Sequence, residues 1–190
     1  MLTSIRGDPG RHNARIPGIH REVPVQQNLP SALARLYARP GFLLRRAHQI
    51  SAAVFEDACR PLALTPAQFG ALTVLRAHPG LGQSSLARAL GFDKVTVLRV
   101  LRGLEARGLV TRGPAAAHPR KVSVALTPEG ERVLALAQEP AEQAYRRLLA
   151  PLDKAQQAQL LSLLQLLTGE LEDEARAAFV PPAPAGRQAA

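Results

Sequence analysis

The side chains of this sequence best placed to do chemistry are cations rather than nucleophiles. Val95, Thr96, Arg99 and Arg102 recur at the spacing of one helix face. A face of that kind fits the major groove of a duplex. An arginine such as Arg99 donates two parallel bonds to guanine, the Thr96 hydroxyl bonds to a base or a phosphate, and Val95 meets a thymine methyl. Lys94, and Ser84 or Ser85, stand near expected helix starts, where free backbone N–H groups attract phosphate. Further along, Arg112, His118, Arg120 and Lys121 border a Gly/Pro/Ala stretch, and the three cations there have no acid beside them in the sequence. A basic hairpin tip of that kind reaches the flanking minor groove or the phosphates.

The rest of the inventory excludes other chemistry. Cys59 is the only cysteine, so neither an intrachain disulfide nor a cysteine-based zinc site is expected. The five histidines (His12, His20, His48, His78 and His118) are scattered over the chain. They show no metal-ligand spacing and no nucleophile–base pairing, and no Gly-rich phosphate loop follows a strand. We therefore expect no metal, no cofactor and no catalysis. No run approaches the roughly 18 apolar residues of a membrane span, and no apolar signal core follows the N-terminal charges, so a cytoplasmic protein is expected. The formal net charge is +9, of which +6 falls within residues 82–127. That concentration marks an anionic partner for this segment.

The elements that must position these residues follow from local signals. Residues 1–38 mix Gly, Pro, Arg and His without periodicity and read as a disordered basic arm, with 31–38 able to form a short helix before Pro40. Leu43, Leu44, Ala47, Ile50, Val54, Phe55 and Ala58 recur at helical spacing up to Pro61. Thr65-Pro66 places a cap and an N1 proline before a helix carrying Phe69, Leu72, Val74 and Leu75. A short helix over 83–90 ends at Gly91, and Asp93 caps a second helix running to about Arg107, closed by Gly108. Val97, Val100, Leu101 and Leu104 form its apolar stripe, so Val95, Thr96, Arg99 and Arg102 point away from the core. Residues 109–112 and 121–126 read as two strands joined by a loop over 113–119. Thr127-Pro128 opens a helix over 128–149, and Asp153 caps a last one over 153–178. Leu160, Leu161, Leu163, Leu164, Leu166, Leu167 and Leu171 make that last helix apolar over a wide arc, which either a partner subunit or the chain itself must cover. Residues 179–190 read as a disordered tail. The fold class is mainly α with a small β-hairpin wing: a winged helix-turn-helix (82–127) flanked by helices at 39–62 and 128–178 within a domain spanning 39–178.

Residues 65–72 (Thr-Pro-Ala-Gln-Phe-Gly-Ala-Leu), 86–97 (Leu-Ala-Arg-Ala-Leu-Gly-Phe-Asp-Lys-Val-Thr-Val), 104–110 (Leu-Glu-Ala-Arg-Gly-Leu-Val) and 126–130 (Leu-Thr-Pro-Glu-Gly), in that order, resemble the signature segments of MarR-type regulators. The resemblance covers about residues 40–175. It implies a homodimer joined through its N- and C-terminal helices, Leu160, Leu164, Leu167 and Leu171 among the seam residues, on a pseudo-palindromic double-stranded operator. It also implies a repressor that a small-molecule effector, such as an aromatic acid or an acyl thioester, releases from DNA. Arg45, Arg46, His48, Phe55 and Phe69 are the effector-site candidates. One departure stands out: Arg120 occupies the position of the family's wing arginine, but His118 replaces the Asp that normally orients it. Two other readings remain open, a redox sensor built on Cys59 beside Arg60 and a winged helix that binds only proteins.

Overall fold

The computed structural model describes residues 30–115 and 118–183, so the expected N-terminal arm before residue 30, the loop residues 116–117 and the expected tail over 184–190 lie outside the described residues. The chain divides into two units, 1–44 and 45–190. In the first, α1 (Ser31–Tyr37) is the short helix expected before Pro40, and the Tyr37 ring packs on Phe42 with centroids 4.9 Å apart. α2 (Pro40–Ala58) begins there with proline in its first turn and continues into the second unit.

In the second unit α3 (Pro66–Ala77), α4 (Gln83–Ala89) and α5 (Lys94–Ala106) pack on one another. α3 starts where the sequence says it should: Thr65 Oγ1 accepts from the Gln68 N–H, and the Gln68 side chain accepts in return from the Thr65 N–H. Asp93 caps α5 by accepting from the Thr96 N–H at 2.8 Å. The turn between α4 and α5 needs a left-handed residue, and Gly91 supplies it at φ 61°.

The sheet is larger than the expected hairpin. β2 (Val110–Ala115) and β3 (His118–Leu126) extend well into the segment read as a loop, with a register irregularity between Pro114 and Ala115. β1 (Leu81–Gly82) adds a third, antiparallel strand on the other side of β3. Two residues carry too little alternation to read as a strand. Thr127 then caps α6 (Pro128–Leu149) by accepting from the Gly130 N–H and ties it to the preceding turn by donating to the Gly108 carbonyl at 2.6 Å. A Cβ on Gly130 would lie 2.0 Å from the Leu109 carbonyl oxygen, which is why the motif ends in glycine.

The core gathers Leu64, Leu72, Leu75, Leu86, Val97, Leu101, Leu104, Val124 and Leu134, all at most 2 % exposed. α7 (Lys154–Glu170) contributes no buried residue. It ends eight residues earlier than expected, and a 3-10 turn over Glu172–Glu174 follows. Residues 179 and 180, expected in a loose tail, are instead bonded: the Phe179 N–H donates to Glu172 Oε1 at 2.7 Å and the Val180 N–H to the Arg88 carbonyl at 2.9 Å. The apolar and acidic residues of 171–180 carry no helical period, so this docking has no local signature.

Candidate nucleic-acid interface

The phasing of α5 comes out as its residues dictate. Val97, Leu101 and Leu104 are fully buried, and Val100 packs beside them. The opposite face is open: Val95 is 66 % exposed, and Arg99 and Arg102 are exposed. Val95, Leu98, Arg99 and Arg102 together line one shallow groove. Leu98 was missed by the sequence reading because it lies between the two stripes of the helix. At the start of α4, Ser84 is exposed and Ser85 half-buried, and both line a cleft with Gln83 and the exposed Val122 of β3. Lys94 is exposed at the first position of α5.

Two expected contacts are corrected by the side-chain geometry. Thr96 is half-buried, and its hydroxyl donates to Asp93 Oδ2 at 2.9 Å. Its proton is therefore committed, and only its oxygen lone pairs remain to meet a donor. Asp93 is held below the usual carboxylate range, first by the Thr96 N–H and then by the Thr96 hydroxyl. Arg112 does have an acid beside it: its guanidinium is bonded to Glu105, near the C-terminal end of α5. That bond holds the Glu105 carboxyl below its ordinary value and raises the Arg112 guanidinium. Arg112 therefore fixes β2 to the recognition helix rather than standing as a free cation. The pair was invisible in sequence because residues 105 and 112 are brought together only by the turn from α5 into β2. His118, Arg120 and Lys121 begin β3, and their side chains lie outside the described residues.

A second arginine positions the far end of α5. The Arg107 guanidinium donates to the carbonyls of Leu62 and Ala63 at 2.6 and 2.7 Å. Ala63 is the one non-glycine residue of positive φ among the described residues, at 47°. That conformation costs roughly 1–2 kcal/mol in a residue bearing a Cβ, and the two charge-assisted bonds from Arg107 offset it. The clamp ties the recognition helix to the α2–α3 junction.

The five effector-site candidates do not converge. Phe55 is 2 % exposed and is core, its ring 5.4 Å from Phe69 and 6.2 Å from Tyr145. Arg45, Arg46 and His48 are exposed, and the Arg45 side chain donates to Gln49. At 1.5 Å per residue, Arg45 lies about 15 Å along α2 from Phe55. The aromatic partner that sequence reasoning missed is Tyr145, 42 % exposed; burial, then the Glu142 charge, pushes its phenol up. Cys59 is fully buried, and burial pushes its thiol up, opposite to what a reactive thiolate needs.

An open recognition helix, set by a capped turn and followed by an antiparallel wing, defines a winged helix-turn-helix DNA-binding protein. Residues 64–121 match the model of the MarR family. The chain is 35 % identical over 126 residues to the HTH-type transcriptional repressor NicR of Pseudomonas putida, covering 66 % of this chain and 79 % of that one. BpsR of Bordetella bronchiseptica, solved in a study of how 6-hydroxynicotinic acid regulates its DNA binding, is 32 % identical with a TM-score of 0.65, over 70 % of this chain and 94 % of that one. The repressor CouR bound to a 23-mer DNA duplex is 32 % identical with a TM-score of 0.66, over 74 % and 99 %. CouR has also been solved with p-coumaroyl-CoA. The chain belongs to the MarR family, whose members are DNA-binding transcription regulators and not enzymes. Among the described residues no helix is long and apolar enough to cross a membrane.

Proposed function

We propose that this regulator is a homodimeric repressor that reads a two-fold symmetric operator through α5 and is released from it by an aromatic acid or its acyl thioester. The observation that carries the DNA-reading role is the exposed face of Val95, Arg99 and Arg102, backed by three fully buried residues one helical step away. The Ser84–Ser85 and Lys94 region borders that face and suits the phosphate backbone. The homodimer rests on α7, where Leu161, Leu163, Leu164, Leu166 and Leu167, with Leu171 at its C-cap, are 37–59 % exposed. A two-fold protein presents two recognition helices to two half-sites about one helical turn apart.

The effector class rests on the relatives, since BpsR responds to a hydroxylated aromatic acid and CouR binds an aromatic acyl thioester. Within this chain the half-buried Phe69 and the part-exposed Tyr145 are the aromatic surface open to such a ring. The test is to incubate the purified protein with fragments of its source genome at near-physiological salt and to sequence what it retains. An enriched inverted repeat supports the reading. Loss of that enrichment on adding 6-hydroxynicotinic acid or p-coumaroyl-CoA identifies the effector class. Retention without any shared sequence would contradict operator recognition, and insensitivity to both compounds would contradict the effector class.

A further inference from the structure

The segment after α7 returns to the helix-turn-helix of α4 and α5, the proposed reading head, and docks on its turn. The Val180 N–H donates to the Arg88 carbonyl at the end of α4, 2.9 Å away. Phe179 lies over the turn itself: a methyl added to Gly91 would sit 3.9 Å from the Phe179 Cβ. Glu172 holds the segment from behind by accepting the Phe179 N–H at 2.7 Å. Residues 175–180 therefore cross the reading head at the α4–α5 turn. Their neighbours are Ser84, Lys94 and Val95, which share one cleft with Arg176, Ala177 and Ala178.

Two observations decide what this strap does there. First, it borders the base-reading face without covering it, since Val95 remains 66 % exposed and Arg99 and Arg102 remain exposed with the strap in place. Second, the side chain it delivers to the cleft is a cation. Arg176 is exposed, and among the described residues no carboxylate pairs with it. The acid lining the same cleft, Asp93, has both carboxylate oxygens engaged by Thr96. Three acids precede the strap: Glu172 accepts the Phe179 N–H, and Asp173 and Glu174 make no ion pair with Arg176.

We infer that residues 175–180 extend the DNA interface, with Arg176 contacting a backbone phosphate beside the one served by Lys94. The inference rests on the reading of α5 as the recognition helix. A contact of this kind adds affinity for every sequence and carries no base information.

The test is fluorescence anisotropy of the full chain across a salt series, on a duplex carrying the retained inverted repeat and on an unrelated duplex. Arg176→Ala is expected to weaken both complexes alike, about fivefold per lost contact near 0.15 M salt, and to lower the salt slope by about one per protomer. Arg176→Lys, which keeps the charge, is expected to restore most of both. Unchanged affinity and slope in Arg176→Ala would overturn the inference. So would tighter binding after deletion of residues 175–190, because the strap would then obstruct DNA instead of meeting it. Arg99→Ala, run alongside, separates the two readings. If it left base preference intact while Arg176→Ala lowered the slope, the recognition-face assignment would fail and the strap contact would stand.

Discussion

α5 and α7 are both leucine-bearing helices, of 13 and 17 residues, yet the chain treats them in opposite ways. α5 concentrates its apolar side chains on one stripe, and its own protomer buries that stripe completely at Val97, Leu101 and Leu104. Its other face, with Val95, Arg99 and Arg102, is left exposed. α7 spreads leucines around most of its circumference, and none of them is buried. A helix whose apolar side is satisfied at home shows its function on the remaining face. A helix apolar nearly all round shows only that something else must cover it. The first kind of partner is read from side-chain chemistry, and the second from what the protomer fails to bury.

Four substitutions or conditions sharpen that contrast. Leu164→Glu on α7 is expected to have the largest effect, converting the protein to monomers in sedimentation velocity while leaving the helical circular dichroism of the reading head in place. A persisting dimer would move the seam elsewhere. Leu101→Ala, on the buried stripe of α5, is expected to cost roughly 2–5 kcal/mol of folding stability in denaturant titration, a loss that Leu163→Ala on exposed α7 would not reproduce in the Leu164→Glu background. Equal losses would erase the distinction between the two helices. Arg99→Ala is expected to leave folding unchanged and to weaken specific DNA binding by roughly 1–3 kcal/mol per half-site contact.

The smallest effect concerns pH. Asp93 and Glu105, which hold the two ends of α5, have carboxyls lowered in the folded state. Their contribution is complete above the ordinary carboxylate range of about 4 and is lost as pH falls through the lower folded-state values. Asp93→Asn and Glu105→Gln are each expected to flatten the acid limb of the stability profile, and an unaltered limb in both would show that neither end is held by its carboxylate.

The legible parts of the molecule were those written at short range. The caps at Thr65, Asp93, Thr127 and Asp153 each bond to a residue three positions on, and all four were readable from cap-residue types and spacing. The phase of α5 was readable for the same reason, since burial follows a 3.6-residue period. What escaped depends on which distant segments the fold brings together. The Arg107 clamp spans 44 and 45 residues, and the strap at Val180 reaches back to Arg88. The Arg112–Glu105 pair spans only seven, but a turn separates its helix from its strand. The fold and the burial phase of α5 were thus open to sequence reasoning. The distinction between free and occupied cations was not, because an arginine in sequence does not disclose its carboxylate.

The central claim is that α5 reads bases through Arg99. It is tested most directly by selecting duplexes from a random-sequence pool with the wild-type protein and with Arg99→Ala, and comparing the base preferences recovered. A two-fold symmetric motif is expected for the wild type, with preference lost in the variant at one position of each half-site and kept at the others. Identical motifs from the two proteins would contradict it.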